Sequence, residues 1–270
     1  ANLKTPLFKS RTTHSRALDT IKKMKEPTNY DALKLNTHSI YHSDANRIIC
    51  ALNLLLFAEK QFQSSFLIQN LDTLKLISEN CSLGKPPKKE IVSDFVDNGL
   101  IDAIKISICF ENYSKAILLE KGYLIHNIDR NKFKDEAKKQ KKSPVLIEDF
   151  HCEFYDDTSI QSDNPKLRKK INGLKDTTEQ YSIILNNKSY LDIIMLEEHL
   201  AKTLIELNKA RNALHLHFSL SFNMSSTTYD EFKVLKEFVD VKIKERKKYL
   251  TDYLFGEGKT KKPIFEIKST

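Results

Sequence analysis

Four stretches of this 270-residue chain repeat apolar residues every three or four positions, over spans much longer than a β-strand. They run from Ala45 to about Ser78, from Lys88 to about Gly122, from 175 to 217, and from Tyr229 to about Leu254. With only 6 Gly and 7 Pro in the whole chain, little interrupts a helical pattern. The pattern predicts an all-α fold, a bundle of long helices packed roughly antiparallel around one core. An apolar share of 40% and a charged share of 30% exclude a collagen-like or wholly disordered chain. No apolar run approaches the roughly 18–20 residues of a membrane-spanning helix, so no membrane partner is expected.

The breaks between these stretches suggest the organisation. Residues 1–42 read as a basic, irregular N-terminal arm, with a short helix around 15–25 stopped by Pro27. Ser43-Asp44 reads as an N-cap, and the segment to Ser78 as one very long helix or two. Gly84-Lys85-Pro86-Pro87 is a break, Gly99 a kink or boundary, and Gly122 a stop. The helical domain is expected over 43–255, with residues 127–175 as an irregular insertion. In that insertion Val145-Leu146-Ile147 and Phe150 to Tyr155 could form a short strand or hairpin, before breaks at Asn164-Pro165 and Gly173. Ser225-Ser226-Thr227-Thr228 reads as a polar loop, and 256–270 as a basic tail.

The cysteines, Cys50, Cys81, Cys109 and Cys152, form no CxxC pair, and Cys50 and Cys109 lie in apolar helical stretches. They read as reduced thiols of a cytoplasmic protein. The formal charge of +8 is uneven. Residues 1–25 carry a net +6, residues 130–142 a net +5 and residues 242–262 a net +5, so the remainder nets −8. Such segments can attract a polyanion through counterion release, and they can also simply keep a protein soluble. As nucleic-acid contacts they nominate Lys138, Lys139, Lys141 and Lys142, together with Arg246, Lys247 and Lys248.

Polar residues on apolar stripes are more specific. Ile193, Leu196, Leu200, Leu204 and Leu207 advance by helical steps, and the next steps land on Arg211 and His215. A guanidinium there must be paired or must line a solvated cleft, because an unpaired buried charge is prohibitively costly. Asn212 and His217 lie beside it in sequence. Similarly, Ile104 and Ile108 lead to Glu111, Lys115 and Leu118, while the neighbouring stripe Ile106, Phe110, Tyr113 and Ile117 marks this helix as central. Glu111 could pair with Lys115 at i,i+4 or hold Arg211 across a helix interface. Either a register-fixing ion-pair network or a functional cleft accounts for these residues. No phosphate-binding loop, HExxH or GxSxG motif is present. The remaining histidines show no metal-ligand spacing, so no metal and no cofactor are expected.

The run Arg211-Asn212-Ala213-Leu214-His215-Leu216-His217 resembles the motif of the HEPN (higher eukaryote and prokaryote nucleotide-binding) family. That motif is an Arg, often followed by Asn or another polar residue, then a His after four to six intervening positions. His217, with five, fits; His215, with three, falls outside and is the alternative. Glu111-Asn112-Tyr113-Ser114-Lys115-Ala116-Ile117-Leu118-Leu119, followed by Gly122-Tyr123 and His126, is similar to an earlier helix of that family. The likeness spans about a third of the chain, and residues 1–42 and 127–175 match no recognisable pattern. The resemblance implies a helical homodimer whose two motifs share one cleft. It further implies a metal-independent endoribonuclease of a toxin–antitoxin or anti-phage defence system, with a neutralising antitoxin or defence-complex partner. Arg211, Asn212 and His217 would be catalytic and Glu111 and Lys115 supporting. The alternative is a non-catalytic nucleic-acid-binding or assembly subunit of a defence complex.

Overall fold

The computed structural model describes residues 37–85, 89–150, 153–157, 169–214 and 227–255. Outside them lie most of the N-terminal arm, the C-terminal tail, Cys152, the Asn164-Pro165 break, and His215 and His217. The described residues are mostly helical, as expected for an all-α chain. Ten α-helices are described: α1 (Asp44–Gln63), α2 (Phe66–Gln69), α3 (Leu71–Ser82), α4 (Lys89–Glu120), α5 (Lys134–Gln140), α6 (Tyr181–Leu185), α7 (Lys188–Ile194), α8 (Glu198–Leu214), α9 (Thr228–Phe238) and α10 (Lys244–Phe255). Four short strands are added: β1 (His126–Ile128), β2 (Phe154–Asp156), β3 (Lys169–Ile171) and β4 (Leu174–Thr178).

Helix α4 is the axis of the core. Ile106, Phe110, Tyr113 and Ile117 are all buried, as the second stripe predicts. Phe110 packs against Phe62 of α1 and Phe238 of α9, and Tyr113 meets Phe238 edge-on at 5.1 Å. Gly99 lies inside α4 without ending it. Gly122 does end it, at φ +81°, and Tyr123 N–H donates to Leu118 O to close a Schellman cap.

The stretch from Ala45 to Ser78 divides into three helices rather than one or two. Ser43 caps α1 through Asn46 N–H, as expected. The break at Ser64-Ser65 is stabilised from a distance. Asp102, a fully buried residue of α4, accepts the Leu67 N–H at 2.6 Å, while the Ser65 hydroxyl accepts that of Ile68. The 175–217 stretch is likewise not one helix. It begins in β4 and breaks again at Met195, which adopts the left-handed conformation at φ 54°. Ile193 and Leu196 therefore precede the helix that carries Leu200, Leu204, Leu207 and Arg211, and the predicted face starts only at Leu200.

In the last stretch α9 and α10 are joined without a break by a π-helical turn, Val239–Ile243. Beyond it Arg246 forms a two-pronged ion pair with Glu120, which is wholly buried at the end of α4. Burial pushes the Glu120 carboxyl up and outweighs the opposing pull of Arg246. Lys247 pairs with Glu59 of α1.

Strand β1 pairs antiparallel with β4, and β2 with β3, so the predicted insertion is closed at its base. Phe154 and Tyr155 do form strand, whereas Leu146 makes only an isolated bridge to Tyr123. Within the insertion α5 is anchored by Gln140, which donates to His126 O and accepts from Ile128 N–H.

Structure is already present ahead of the predicted boundary at residue 43. Thr37–Tyr41 form a 3-10 turn that reaches into the insertion. The buried Tyr41 hydroxyl accepts the Ile125 and His126 N–H groups and shares its proton with His126 Nδ1 at 2.8 Å. Buried His38 accepts the Ile171 N–H through Nδ1 and donates through Nε2 to Lys175 O. The two imidazoles lie 5.1 Å apart, edge to face.

Burial, with His38 and Lys115 nearby, drives the His126 pKa down to about 3, against the pull of Asp176; that of His38 is also lowered, chiefly by burial. Each is held neutral, so its contribution is complete above the unfolded histidine pKa of about 6.5 and is lost as pH falls toward the folded value. We predict that unfolding free energy, followed by urea titration, drops by up to about 1.4 kcal/mol per pH unit per histidine as pH falls from about 6.5. His126→Gln should flatten that dependence. Arg246→Met should cost about 3–5 kcal/mol by leaving Glu120 buried and unpaired, whereas Glu120→Leu/Arg246→Met should recover most of the loss.

Candidate functional site

Arg211 lies in the last turn of α8, and Glu111 faces it from α4. The Arg211 Nη1 donates to Glu111 Oε2 at 2.6 Å, and Lys115 Nζ donates to Oε1 of the same carboxylate at 2.6 Å. The two pairings that the sequence leaves as alternatives therefore coexist. Side-chain exposures of 27% for Arg211, 18% for Glu111 and 13% for Lys115 place the triad at the edge of the core. There water screens poorly but still reaches the guanidinium. Burial raises the Glu111 carboxyl pKa, yet Lys115 and Arg211 together outweigh it and hold the carboxyl below its usual range.

Arg211 is anchored by one nitrogen. Its Nε and Nη2 N–H groups have no partner among the described residues, which leaves planar, permanently charged donors available. Arg211 lines a cleft of about 370 Å³ formed by the end of α8 and the segment from Thr178 to Ser182. Exposed Asn212 and buried Asn208 line it from α8, and Glu179, Gln180 and Tyr181 from the opposite wall. Burial raises the Glu179 carboxyl, against the Gln180 N–H it accepts and the nearby Lys141. It also drives the Tyr181 phenol well above its ordinary range. This is a polar cleft with one fixed cation, an amide on each side and a carboxyl biased toward its neutral form.

The structure thus brings together Arg211, Asn212, Glu111 and Lys115. His215 and His217 fall outside the described residues. Lys138, Lys139, Lys141 and Lys142 are exposed on and just after α5, separate from the Arg211 cleft. Arg246 and Lys247 are paired with Glu120 and Glu59. Lys248 is exposed. Sequence reading missed Asn208 and Glu179. Asn208 was within reach, one turn before Arg211 on the same face. Glu179 sits between a strand and a helix, where no periodicity marks it. Among the described residues no three His, Cys, Asp or Glu converge as a metal site, and no helix is long and apolar enough to cross a membrane.

No family model, no curated protein and no solved structure matches this chain.

Glu111→Gln removes the charge that two half-buried cations share. We predict a loss of about 1–3 kcal/mol in urea unfolding at neutral pH. Because the folded carboxyl pKa is depressed, Glu111 contributes above the unfolded value of about 4.3, and the contribution disappears as pH falls through the lower folded value. The gap between wild type and Glu111→Gln should therefore close in acid.

Proposed function

We propose that the chain is a metal-independent endoribonuclease that acts as a homodimer, in a toxin–antitoxin or anti-phage defence setting. The observation that carries this reading is Arg211, held through Nη1 by Glu111 while it lines an open polar cleft. The resemblance of Arg211-Asn212 and His217 to the HEPN motif supports it.

The chemistry suits these groups. An RNA 2′-hydroxyl attacks the adjacent phosphorus, and the P–O5′ bond breaks, leaving a 2′,3′-cyclic phosphate and a 5′-hydroxyl. Negative charge builds on the non-bridging oxygens, where Arg211 supplies a pre-oriented positive fork. Glu111 and Lys115 position that fork. His217 removes the proton from the 2′-hydroxyl or protonates the leaving oxygen, since an imidazole exchanges protons near neutral pH. Two protomers supply both roles. Asn212 orients the phosphate.

A second reading draws on the same ion pair. A cation in the last turn of α8, bound to a carboxylate of the central helix, suits the helix dipole and fixes register without any chemistry. The chain is then a non-catalytic nucleic-acid-binding or assembly subunit.

Incubation with structured RNA in excess EDTA separates the two. The ribonuclease reading expects cleavage with cyclic-phosphate ends, reduced at least about 100-fold by Arg211→Ala and by His217→Ala. Wild-type protein that binds RNA without cutting it, or cutting undiminished in both variants, eliminates this reading. Activity that survives His217→Ala but not His215→Ala reassigns the histidine.

A further inference from the structure

A second and larger cleft, of about 430 Å³, opens between β1, α5 and the β4–α6 junction. Four cations line it: Arg130, Lys138, Lys141 and Lys175. Lys138 approaches the exposed Asp135 only at 4.0 Å. The charged ends of Arg130, Lys141 and Lys175 have no hydrogen-bond or ion-pair partner among the described residues. The contrast with the 242–262 segment is informative, because there Lys244, Arg246 and Lys247 are all committed to carboxylates. Lys242 of that segment is also without a partner among the described residues, but it lines a smaller cavity, of about 200 Å³, beside Glu245 and the already paired Arg246, whereas the insertion sets four cations around the larger cleft.

The cleft is also held in shape. Gln140 clamps α5 to β1 through both ends of its amide. The Tyr190 hydroxyl donates to Gln140 O, and Asn187 donates to Lys141 O and Lys142 O. The turn that presents Lys138 and Lys141 is therefore fixed from three sides, so little ordering cost remains for a ligand. The floor, Ile128, Ala137 and Ile183, is apolar, which offers contact to a base or ribose beneath the charged rim. Such a volume and lining suit a ligand of nucleotide size.

Glu179 and Gln180 line both this cleft and the Arg211 cleft, so the two share a wall. The one carboxylate among the described residues that line the cleft, Glu179, is thus shared with the Arg211 cleft. Burial raises the pKa of that carboxyl, and Lys141 lies close enough to act against the shift.

We propose that this cleft binds a phosphate ester of an RNA strand, holding the nucleotides that flank the one presented to Arg211. The inference rests on the ribonuclease reading for the identity of the strand, and on the cleft's own walls for the phosphate. A free nucleotide offers the same chemistry and is the competing source.

A fluorescein-labelled 2′-O-methyl RNA 12-mer tests this, because it lacks the attacking hydroxyl and reports binding whether or not the protein cleaves. Fluorescence anisotropy is measured over a salt series for the full chain. Lys138→Glu/Lys141→Glu should weaken binding at least about 10-fold and flatten the slope of log K against log salt by about 1.4, two phosphate contacts on a single strand. Lys60→Glu/Lys75→Glu, an equal change of charge on exposed lysines of α1 and α3, should weaken it much less. Equal weakening by the two pairs, or no change in the first, overturns the proposal. Lys138→Gln/Lys141→Gln, which inverts no charge, should show the same order if reversal alone disturbs the fold. Millimolar ATP that displaces the strand from wild type, and itself binds in a Lys138/Lys141-dependent way, overturns the strand assignment in favour of a free nucleotide. Failure of the ribonuclease reading shows separately, as binding that depends on Lys138 and Lys141 without cleavage of unmodified RNA.

Discussion

Three carboxylates on a buried helix organise this molecule. Asp102, Glu111 and Glu120 lie along α4, and the low-dielectric core obliges each to find a partner. Each takes it from a different element. Asp102 accepts the backbone of α2, Glu111 accepts Arg211 of α8, and Glu120 accepts Arg246 of α10. Apolar packing brings these helices together without specifying direction, whereas the carboxylates fix which part of each helix stands opposite which part of α4. The candidate site inherits its geometry from this arrangement, since Arg211 is positioned by the same kind of contact that seats α10.

How much of this was legible in the sequence follows from what each feature depends on. The centrality of α4 was, because two adjacent apolar stripes leave little surface for water. The Glu111–Arg211 contact was legible as one of two options, since both residues interrupt an apolar face. The breaks at Ser64-Ser65 and Met195 were not. The first is stabilised by an acid far along the chain, and the second puts a methionine where the local signal would be a glycine. The clamp of His38 and Tyr41 was hidden too. Residues 37–42 carry no periodicity, and their importance lies in backbone groups of the insertion more than eighty positions away.

Charge behaved in the same way. The sequence shows where bases are concentrated but not which are already spent. Around α10, Arg246 and Lys247 are taken by carboxylates of the core, and around α5, Lys138 and Lys141 line a cavity. The clefts bearing Arg211 and Lys141 are distinct but share Glu179 and Gln180 as lining residues, so a basic surface and a partly buried arginine lie on two sides of one wall.

The clamp at His38 and Tyr41 also bears on the order in which the chain can assemble. The helical contacts of α4 with its own neighbours in sequence close short loops, but the clamp joins residues separated by 85, 133 and 137 positions. Loop-closure entropy rises with such separations, and what is local is a tie from the turn to α1, where Asn46 Nδ2 donates to Ser39 O. The clamp is consequently costly to close before the strands it spans are in place. A chain still emerging from synthesis has made Thr37–Tyr41 long before Ile125 and His126, and the last of the clamp's partners, Lys175, comes later still.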